Sequence, residues 1–473
     1  MHTDEREALR CASGKEASVK FARKGRSLST TRIILLSFLI LVLLGSALLS
    51  LPISAADGVR VPYVDALFTA TTATCVTGLV TLPTATAWSP FGQAVILVLI
   101  QIGGLGVITV MAGVMLALRR RMGLSDRLLL QDAFNLNTLS GLTVFLKKVL
   151  IGTFAVEATG ALLYMTVFVP EFGARGIWIS VFNAVSAFCN AGMDLIGETS
   201  LSGYATHPVI NGVTSALVIL GGLGFIVWWD ILRVSRAVAS SKSLRSLRSL
   251  TLHTKMALAA TAVLLFGGTI LFFLFERSNP QTIGSMTIFE GLQASFFQSV
   301  TTRTAGFYTI PQGDLTNAST VLSLLLMFVG GSPVGTAGGV KTVTVLVILA
   351  YAVSTLRGQN EVIVFHRRIP RDALRKSVAV VVTSFTIAFV TTILVAAVSG
   401  GDLADILYET VSATATVGLS RDLTPTLNTA GKLMITAAMY LGRVGPISLA
   451  IAFSTRRENP NVIQNPTETI SVG

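Results

Sequence analysis

Four glycines recur at matching positions of one repeated segment, and their arrangement is suited to binding a cation. Gly78, Gly192, Gly306 and Gly418 are spaced 114, 114 and 112 residues apart. A glycine permits a backbone turn with positive φ and leaves the neighbouring carbonyl groups uncovered. Four such turns around one axis would form a ring of carbonyl oxygens that replaces the hydration shell of a cation.

The glycines lie in four copies of one segment, which read LFTATTATCVTGL, VFNAVSAFCNAGM, SFFQSVTTRTAGF and LYETVSATATVGL. An aromatic residue precedes each glycine by ten positions, as Phe68, Phe182, Phe296 and Tyr408. This repeat predicts four similar units in one body. We expect the ring to consist of Thr77–Gly78, Ala191–Gly192, Ala305–Gly306 and Val417–Gly418, with the ion on the carbonyls of Thr77, Asn190, Thr304 and Thr416. The alternative is close helix packing without conduction.

The composition indicates an integral membrane protein. Of 473 residues, 52% are hydrophobic and 13% are charged, with a mean hydropathy of +0.70. Soluble domains carry about 25% charged residues. The net charge of +12 does not indicate nucleic-acid binding, because the basic residues cluster between apolar runs. The three cysteines (Cys11, Cys75 and Cys189) cannot form a disulfide framework, and small apolar packing is the expected role of the last two.

The elements that must position the ring form four units, each with an outer helix, a pore loop and an inner helix. We predict an all-α membrane protein with eight transmembrane helices around one central pore. The units are residues 33–118, 144–232, 256–356 and 376–453. The helices of the pore loops are too short to cross a membrane, so they must be re-entrant. No cleavable signal is evident, and the tails 1–32 and 454–473 are expected to be cytoplasmic.

Two glycine-rich stretches lie inside inner helices that we predict as single spans, Phe91–Leu118 and Val209–Leu232. They read IGGLGV and LGGLGF. A phosphate-binding loop would follow a strand, whereas these sit inside apolar runs. Close packing or hinging of the helices is the favoured interpretation.

Charge is distributed unequally between the two sides of this eight-span arrangement. One side holds 28 of the 36 lysines and arginines, which makes it the cytoplasmic side. The opposite side holds twelve acids against six basic residues, a balance of about −6 that would gather cations. The alternative is that these are solvated loop charges. The six basic residues are Arg60, Arg175, Arg277, Arg303, Arg421 and Lys432.

The inner segment of unit three is interrupted by GGSPVGTAGGVKT, residues 330–342, which we name the flap. Its proline and its five glycines cannot hold an unbroken helix. The segment is either a simple kink or a flexible loop beneath the ring. The glycines are Gly330, Gly331, Gly335, Gly338 and Gly339.

Arg443 is predicted to lie at the depth of the flap. It follows Gly418 by 25 residues, and the same offset from Gly306 falls on Gly331. A cation there would bond flap carbonyls and repel a passing ion, as a latch, or would act only as a structural clamp. Lys341, near the end of the flap, would serve likewise or extend to the inner surface.

The segments TATCVTGL, SAFCNAGMD, TTRTAGF and SATATVGLS resemble, in order, the filter loops of the Trk/Ktr/HKT superfamily of potassium transporters. The resemblance covers nearly all of the chain after Arg32 and is greatest to the Ktr-type membrane subunit. It implies potassium selectivity through the four glycines. A serine at the first of them goes with sodium in some plant members, and Gly78 retains the glycine. The departures are Met193, where the family usually has an aromatic residue, and Val334, where it usually has a small one.

The resemblance also implies partners and a gate. Family members pair as homodimers and dock a cytosolic ring of nucleotide-binding regulatory subunits, so any nucleotide would be bound by the partner and no cofactor by this chain. Related proteins gate the pore with a similar intramembrane loop, and the family has an arginine at the position of Arg443. The expected substrate is potassium, and the sequence leaves coupling to sodium open.

Two other function classes compete with this interpretation. A secondary transporter for an organic solute usually has inverted repeats, whereas these repeats run in the same sense. A membrane-embedded enzyme would need clustered catalytic side chains, and the only histidines are His2, His207, His253 and His366. Glu157 lies within an outer helix, where an acid suggests function but a structural partner explains it equally well.

Overall fold

The computed structural model describes residues 30–118, 123, 130, 141–241, 248–359 and 361–445. The predicted C-terminal tail and most of the N-terminal tail lie outside these residues, as does the end of the fourth inner helix. The described chain is helical apart from one short hairpin, β1 (Ile363–Val364) and β2 (Arg367–Arg368). Short 3₁₀ turns lie at Pro52–Ser54, Ser202–Tyr204 and Thr424–Thr426.

The helices follow the predicted order of outer helix, pore helix and inner helix. Unit one contains α1 (Thr30–Leu49), α2 (Tyr63–Cys75), α3 (Thr84–Ala87), α4 (Pro90–Leu105) and α5 (Val107–Ala117). Unit two contains α6 (Leu142–Phe172), α7 (Arg175–Cys189), α8 (Pro208–Leu223) and α9 (Phe225–Ser241). Unit three contains α10 (Leu252–Glu276), α11 (Ile288–Thr301), α12 (Asn317–Phe328) and α13 (Thr342–Leu356). Unit four contains α14 (Arg371–Val398), α15 (Leu403–Ala415) and α16 (Thr429–Val444).

The outer helices α1, α6, α10 and α14 expose rows of large apolar side chains, as a lipid-facing surface requires. Among the described residues these four are long and apolar enough to cross a membrane, and counting each bent helix pair as one span gives six. The inner segment of unit three is interrupted, and the described part of the inner segment of unit four ends at Gly445. The all-α class and the four-unit organisation are therefore as the repeat predicts.

The pore helices α2, α7, α11 and α15 are only 13 to 15 residues long. At 1.5 Å per residue they reach about 20 Å, short of a ~30 Å hydrocarbon core. Capping fixes where two of them begin. Thr287 and Glu290 form a capping box before α11, and Asp402 caps α15. Of the repeated aromatics, Phe68, Phe182 and Tyr408 are fully buried and Phe296 is half-buried.

The first two inner segments are bent rather than continuous, so they are not single straight helices, and the hinging interpretation of their glycines applies. The helices α4 and α5 meet at 98°, and α8 and α9 meet at 97°. The bends lie at Gly106 and Gly224, both with φ of +86°. This conformation is cheap only for glycine and ends a right-handed helix. The motifs IGGLGV and LGGLGF therefore mark hinges.

Candidate functional site: four pore loops and a flap

Each pore helix is followed by the same backbone turn. The residue two positions before each repeated glycine is left-handed: Val76, Asn190, Thr304 and Thr416 have φ between 51° and 67°. The glycines also have positive φ, from 67° to 100°. These two residues with positive φ redirect the chain after each helix, and the four glycines lie next to one another.

The four glycines, which we name the ring glycines, meet in a closed cycle. A Cβ built on Gly78 would lie 2.6 Å from the carbonyl oxygen of Ala191, and one on Gly192 would lie 2.6 Å from that of Ala305. The cycle continues from Gly306 to Val417, at 2.8 Å, and closes from Gly418 to Thr77. Each ring glycine therefore abuts the carbonyl group of the next loop, and no larger residue fits.

Of the four residues whose carbonyls are predicted to bind the ion, Thr77 belongs to one layer, and Asn190, Thr304 and Thr416 belong to another. Thr77 directly precedes its ring glycine, and its counterparts in the other loops are Ala191, Ala305 and Val417. Asn190, Thr304 and Thr416 lie one residue earlier and correspond instead to Val76. The first layer contacts the ring glycines, while the side chains of the second reach towards the flap.

Hydroxyl groups in the last turns of the pore helices support the loops, and we did not predict them. Gly78 donates its amide to Thr72 Oγ1 at 2.9 Å, and Gly418 donates to Ser412 Oγ at 3.0 Å. In loop two, Ser186 Oγ accepts instead from the amide of Met193, at 3.1 Å. The sequence does contain the signal, because in three of the four copies a serine or threonine precedes the glycine by six residues.

On the side away from the flap, a cavity of about 230 Å³ adjoins all four ring glycines, and we name it the outer mouth. Asp194, Glu198 and Asp422 line it. Burial raises the pKa of the Asp194 carboxyl above its usual range, although the backbone amides of residues 196 and 197 act in the opposite direction. The mouth is therefore acidic and suited to collecting cations.

Two of the basic residues expected on this side are paired with acids. Lys432 Nζ lies 2.6 Å from Asp65 Oδ1, and Arg421 Nε lies 2.7 Å from Asp405 Oδ1. The assignment of Arg303 to the outer surface was wrong. Its side chain is only 7% exposed and points away from the mouth to the start of the flap. Without Arg303, the predicted charge count of the outer side becomes five basic residues and twelve acids.

The flap lies against the inner side of the ring. Thr336 donates its hydroxyl to Asn190 Oδ1 at 2.9 Å and to the carbonyl of Phe188 at 3.0 Å. The amide of Gly338 donates to Thr304 Oγ1 at 3.1 Å, and a side chain on Gly338 would collide with Thr416 Oγ1. Three of the four pore loops are therefore in contact with the flap.

The hinge of unit two holds the flap from the side. Ser332 and Thr336 donate their amides to the carbonyls of Gly222 and Gly221, at 2.8 and 3.1 Å. The amide of Phe225 donates to the carbonyl of Val334 at 2.9 Å. Val334 has φ of +62°, a strained conformation for a β-branched residue. The hinge contacts hold Val334 in this conformation.

Hydrogen bonds that involve the flap glycines join the two ends of the flap, which we name its base. The amide of Gly330 donates to the carbonyl of Val340 at 3.0 Å, and that of Gly331 donates to the carbonyl of Gly338 at 3.4 Å. Gly339 is left-handed, with φ of +64°, and a Cβ on Gly335 would lie 2.8 Å from the Gly221 carbonyl. Larger residues would therefore disrupt the closed base.

Arg443 lies at the depth of the flap, as its offset from Gly418 predicts. Its Nη1 donates to the carbonyl of Thr336 at 2.6 Å. Its Nη2 donates to the carbonyls of Gly103 and Gly104, at 2.6 and 3.3 Å, just before the hinge of unit one. Lys341 Nζ donates to the carbonyl of Ala337 at 2.6 Å. Two cations thus lie beneath the ring, and one of them joins three units.

Glu157 has polar partners but no cation among the described residues. Gln101 Nε2 donates to its carboxylate at 3.1 and 3.3 Å, and Cys189 Sγ lies 3.9 Å from Oε1. The carboxylate is buried between the outer helix of unit two and the inner helix of unit one. These contacts favour the structural interpretation of Glu157.

Comparison with known proteins agrees with this architecture. The profile of the family described as "TrkH: Cation transport protein" matches residues 13–465. The chain is 38% identical over 457 residues to "Potassium/sodium uptake protein NtpJ" of Enterococcus hirae, covering 95% of this chain and 99% of the relative. It is 37% identical over 449 residues to "Ktr system potassium uptake protein B" of Bacillus subtilis, covering 95% and 97%. The crystal structure of the potassium transporter TrkH from Vibrio parahaemolyticus shares the fold, with a TM-score of 0.72, 17% identity, and coverage of 92% of this chain and 86% of that one.

Proposed function

Because this chain belongs to the TrkH family of cation transport proteins, we propose that it takes up potassium ions across the cell membrane through the ring of four pore loops. The family is one of transporters rather than enzymes. The relatives named as potassium uptake proteins support potassium as the ion. The observation that carries the proposal is the closed cycle in which each ring glycine abuts the carbonyl of the next loop.

The two layers of carbonyl oxygens would bind potassium in place of water. One layer comprises Thr77, Ala191, Ala305 and Val417, and the other comprises Val76, Asn190, Thr304 and Thr416. The carboxyl ends of four helices face these layers, and each carries about half a negative charge. The acidic outer mouth raises the local cation concentration. The membrane potential then drives each ion inwards with about 2.3 kcal/mol per 100 mV.

The flap and Arg443 would form a gate beneath this filter. The flap lies across the inner side of the ring, and Arg443 bonds it to the hinge of unit one. A fixed positive charge in a low-dielectric passage opposes a potassium ion. Opening would require these hydrogen bonds to break.

The protein would span the membrane with both termini in the cytoplasm, following the excess of basic residues on that side. As the resemblance of the filter loops implies, it would pair as a homodimer and bind a cytosolic ring of nucleotide-binding subunits. Co-purification from native membranes, with mass measurement, tests this arrangement. A monomer with fully regulated transport would contradict it.

Growth of potassium-starved cells tests the proposed function. Cells lacking their own uptake systems would be supplied with this chain over graded potassium concentrations, with and without sodium. We expect growth at potassium concentrations that do not support the parent strain, and dependence on sodium would reveal coupling. Expression in the membrane without any rescue, and without potassium flux in vesicles, would contradict the proposal.

A further inference from the structure

One position in the pore loops departs from the four-unit repeat. Three residues before the ring glycine, units one, two and four have the small side chains of Cys75, Cys189 and Ala415. Unit three has Arg303. All four residues are buried, with the arginine only 7% exposed. The exception lies in the one unit whose inner helix is interrupted by the flap.

The guanidinium of Arg303 reaches the base of the flap. Its Nη2 donates to the carbonyl of Gly330 at 3.3 Å and to Thr261 Oγ1 of α10 at 3.5 Å. These distances exceed the usual 2.7–3.2 Å. Nε has no partner among the described residues. A buried cation needs hydrogen-bond acceptors, and here they are few and distant.

The interruption of the helix explains why an acceptor is available here. The segment between α12 and α13 is not helical, so the carbonyl of Gly330 accepts no intrahelical bond. The same pore loop touches the flap a second time, because Thr304 accepts from the amide of Gly338. Loop three is therefore attached near both ends of the flap, at Gly330 and Gly338, and both attachment points in loop three lie within three residues of Gly306.

We infer that Arg303 is a positioning residue that couples the flap to the filter, so that a change in the flap alters ion discrimination through loop three. The inference rests on the proposed function, since it assumes that the ring selects ions and the flap gates them. In the closed arrangement Arg303 holds Gly330. When the flap moves, the guanidinium loses this acceptor, and the turn that precedes Gly306 relaxes with it.

The test is Arg303→Gln in the full chain, reconstituted in vesicles, with the maximal potassium flux and the potassium-to-sodium permeability ratio measured separately. We expect the flux to rise and the ratio to fall about fivefold, equivalent to the ~1 kcal/mol of one hydrogen bond. Arg303→Lys, which keeps the charge, should recover part of the ratio. The matched control is Cys75→Ala, at the same offset in a unit without a flap, and it should leave both quantities unchanged.

The outcomes separate this inference from the proposed function. If the wild-type chain carries no potassium, the proposed function fails. If it does, and Arg303→Gln keeps the wild-type ratio at normal abundance and melting temperature, only the coupling is wrong. If Arg303→Gln does not fold, Thr304→Val tests the second attachment while leaving the charge in place. A lowered ratio would support the coupling, and an unchanged ratio would overturn it.

Discussion

Arg443 and Thr336 are joined by a 2.6 Å hydrogen bond between Nη1 and a backbone carbonyl, although 107 residues separate them in the chain. The second terminal nitrogen of the same arginine bonds Gly103 at 2.6 Å. One side chain from unit four thus holds the flap of unit three against the hinge of unit one. The interruption of a helix leaves carbonyls without intrahelical partners. Arg443 donates to one such carbonyl in the flap, that of Thr336, and to two at the end of α4, those of Gly103 and Gly104.

We predict that Arg443→Gln raises the maximal potassium flux about tenfold or more, because each hydrogen bond to a charged group contributes about 1.5–3 kcal/mol to the closed flap. Arg443 does not touch the ring glycines, so it should change the potassium-to-sodium permeability ratio only through Arg303 and loop three, and by less than Arg303→Gln does. Flux in vesicles and the permeability ratio check both parts. Lys341→Gln is the control, because it removes a cation with one bond within the flap and should have a smaller effect. An unchanged flux would make Arg443 a clamp only.

The second prediction concerns the ring glycines. Gly78→Ser should reduce discrimination against sodium, because its Cβ would lie 2.6 Å from the carbonyl of Ala191 and its φ of +100° disfavours any side chain. Changes at the other three ring glycines should act in the same way. Gly212→Ala is the control, since that helical glycine has no atom within 4 Å of its ideal Cβ. Wild-type selectivity in all four ring variants would refute the filter.

The repeat period was sufficient to predict the ring, because one residue type at one spacing carries the information. The hinges were not predictable in the same way. Hydropathy is continuous across Gly106 and Gly224, and each lies among neighbouring glycines that remain helical. The sequence alone therefore does not show which of these glycines adopts positive φ. Similarly, Arg303 was assigned to the outer surface by counting spans, since sequence position does not reveal the direction of a side chain.

The two hinges provide a matched pair for the third prediction. Gly106→Ala and Gly224→Ala both force alanine to φ of +86° with an extended ψ, which costs about 1–3 kcal/mol. Only at Gly224 would the new Cβ also collide with a flap atom, the carbonyl oxygen of Pro333. We therefore expect both variants to lose similar stability from strain, with an additional change in potassium flux confined to Gly224→Ala. Equal fluxes in the two would show that the hinge of unit two does not support the flap.

The fourth prediction is a pH dependence at the outer mouth. Burial raises the pKa of Asp194, so this carboxylate becomes neutral at a higher pH than an exposed aspartate does. As the external pH falls through that raised pKa, the mouth loses negative charge and the half-saturating potassium concentration should rise. Glu198, Asp422 and Tyr308 also line the mouth.

Uptake kinetics in buffers of graded external pH measure this effect. Asp194→Asn should have a raised half-saturating concentration at neutral pH and a flatter pH profile. Asp57→Asn, an exposed change outside the mouth, should keep the wild-type profile. If Asp194→Asn titrates as the wild-type does, another group governs the profile.

The last prediction concerns the pair that joins the end of the repeat to its beginning. Lys432 of α16 bonds Asp65 of α2 at 2.6 Å, and the two side chains are only 17% and 11% exposed. Removing one partner leaves a largely buried charge uncompensated, which costs about 3 kcal/mol. Asp65→Asn and Lys432→Met should therefore each lower the melting temperature in detergent. The double variant should lose less than the sum of the two single losses, because it leaves neither charge unpaired. Additive losses would show that the pair does not join unit four to unit one.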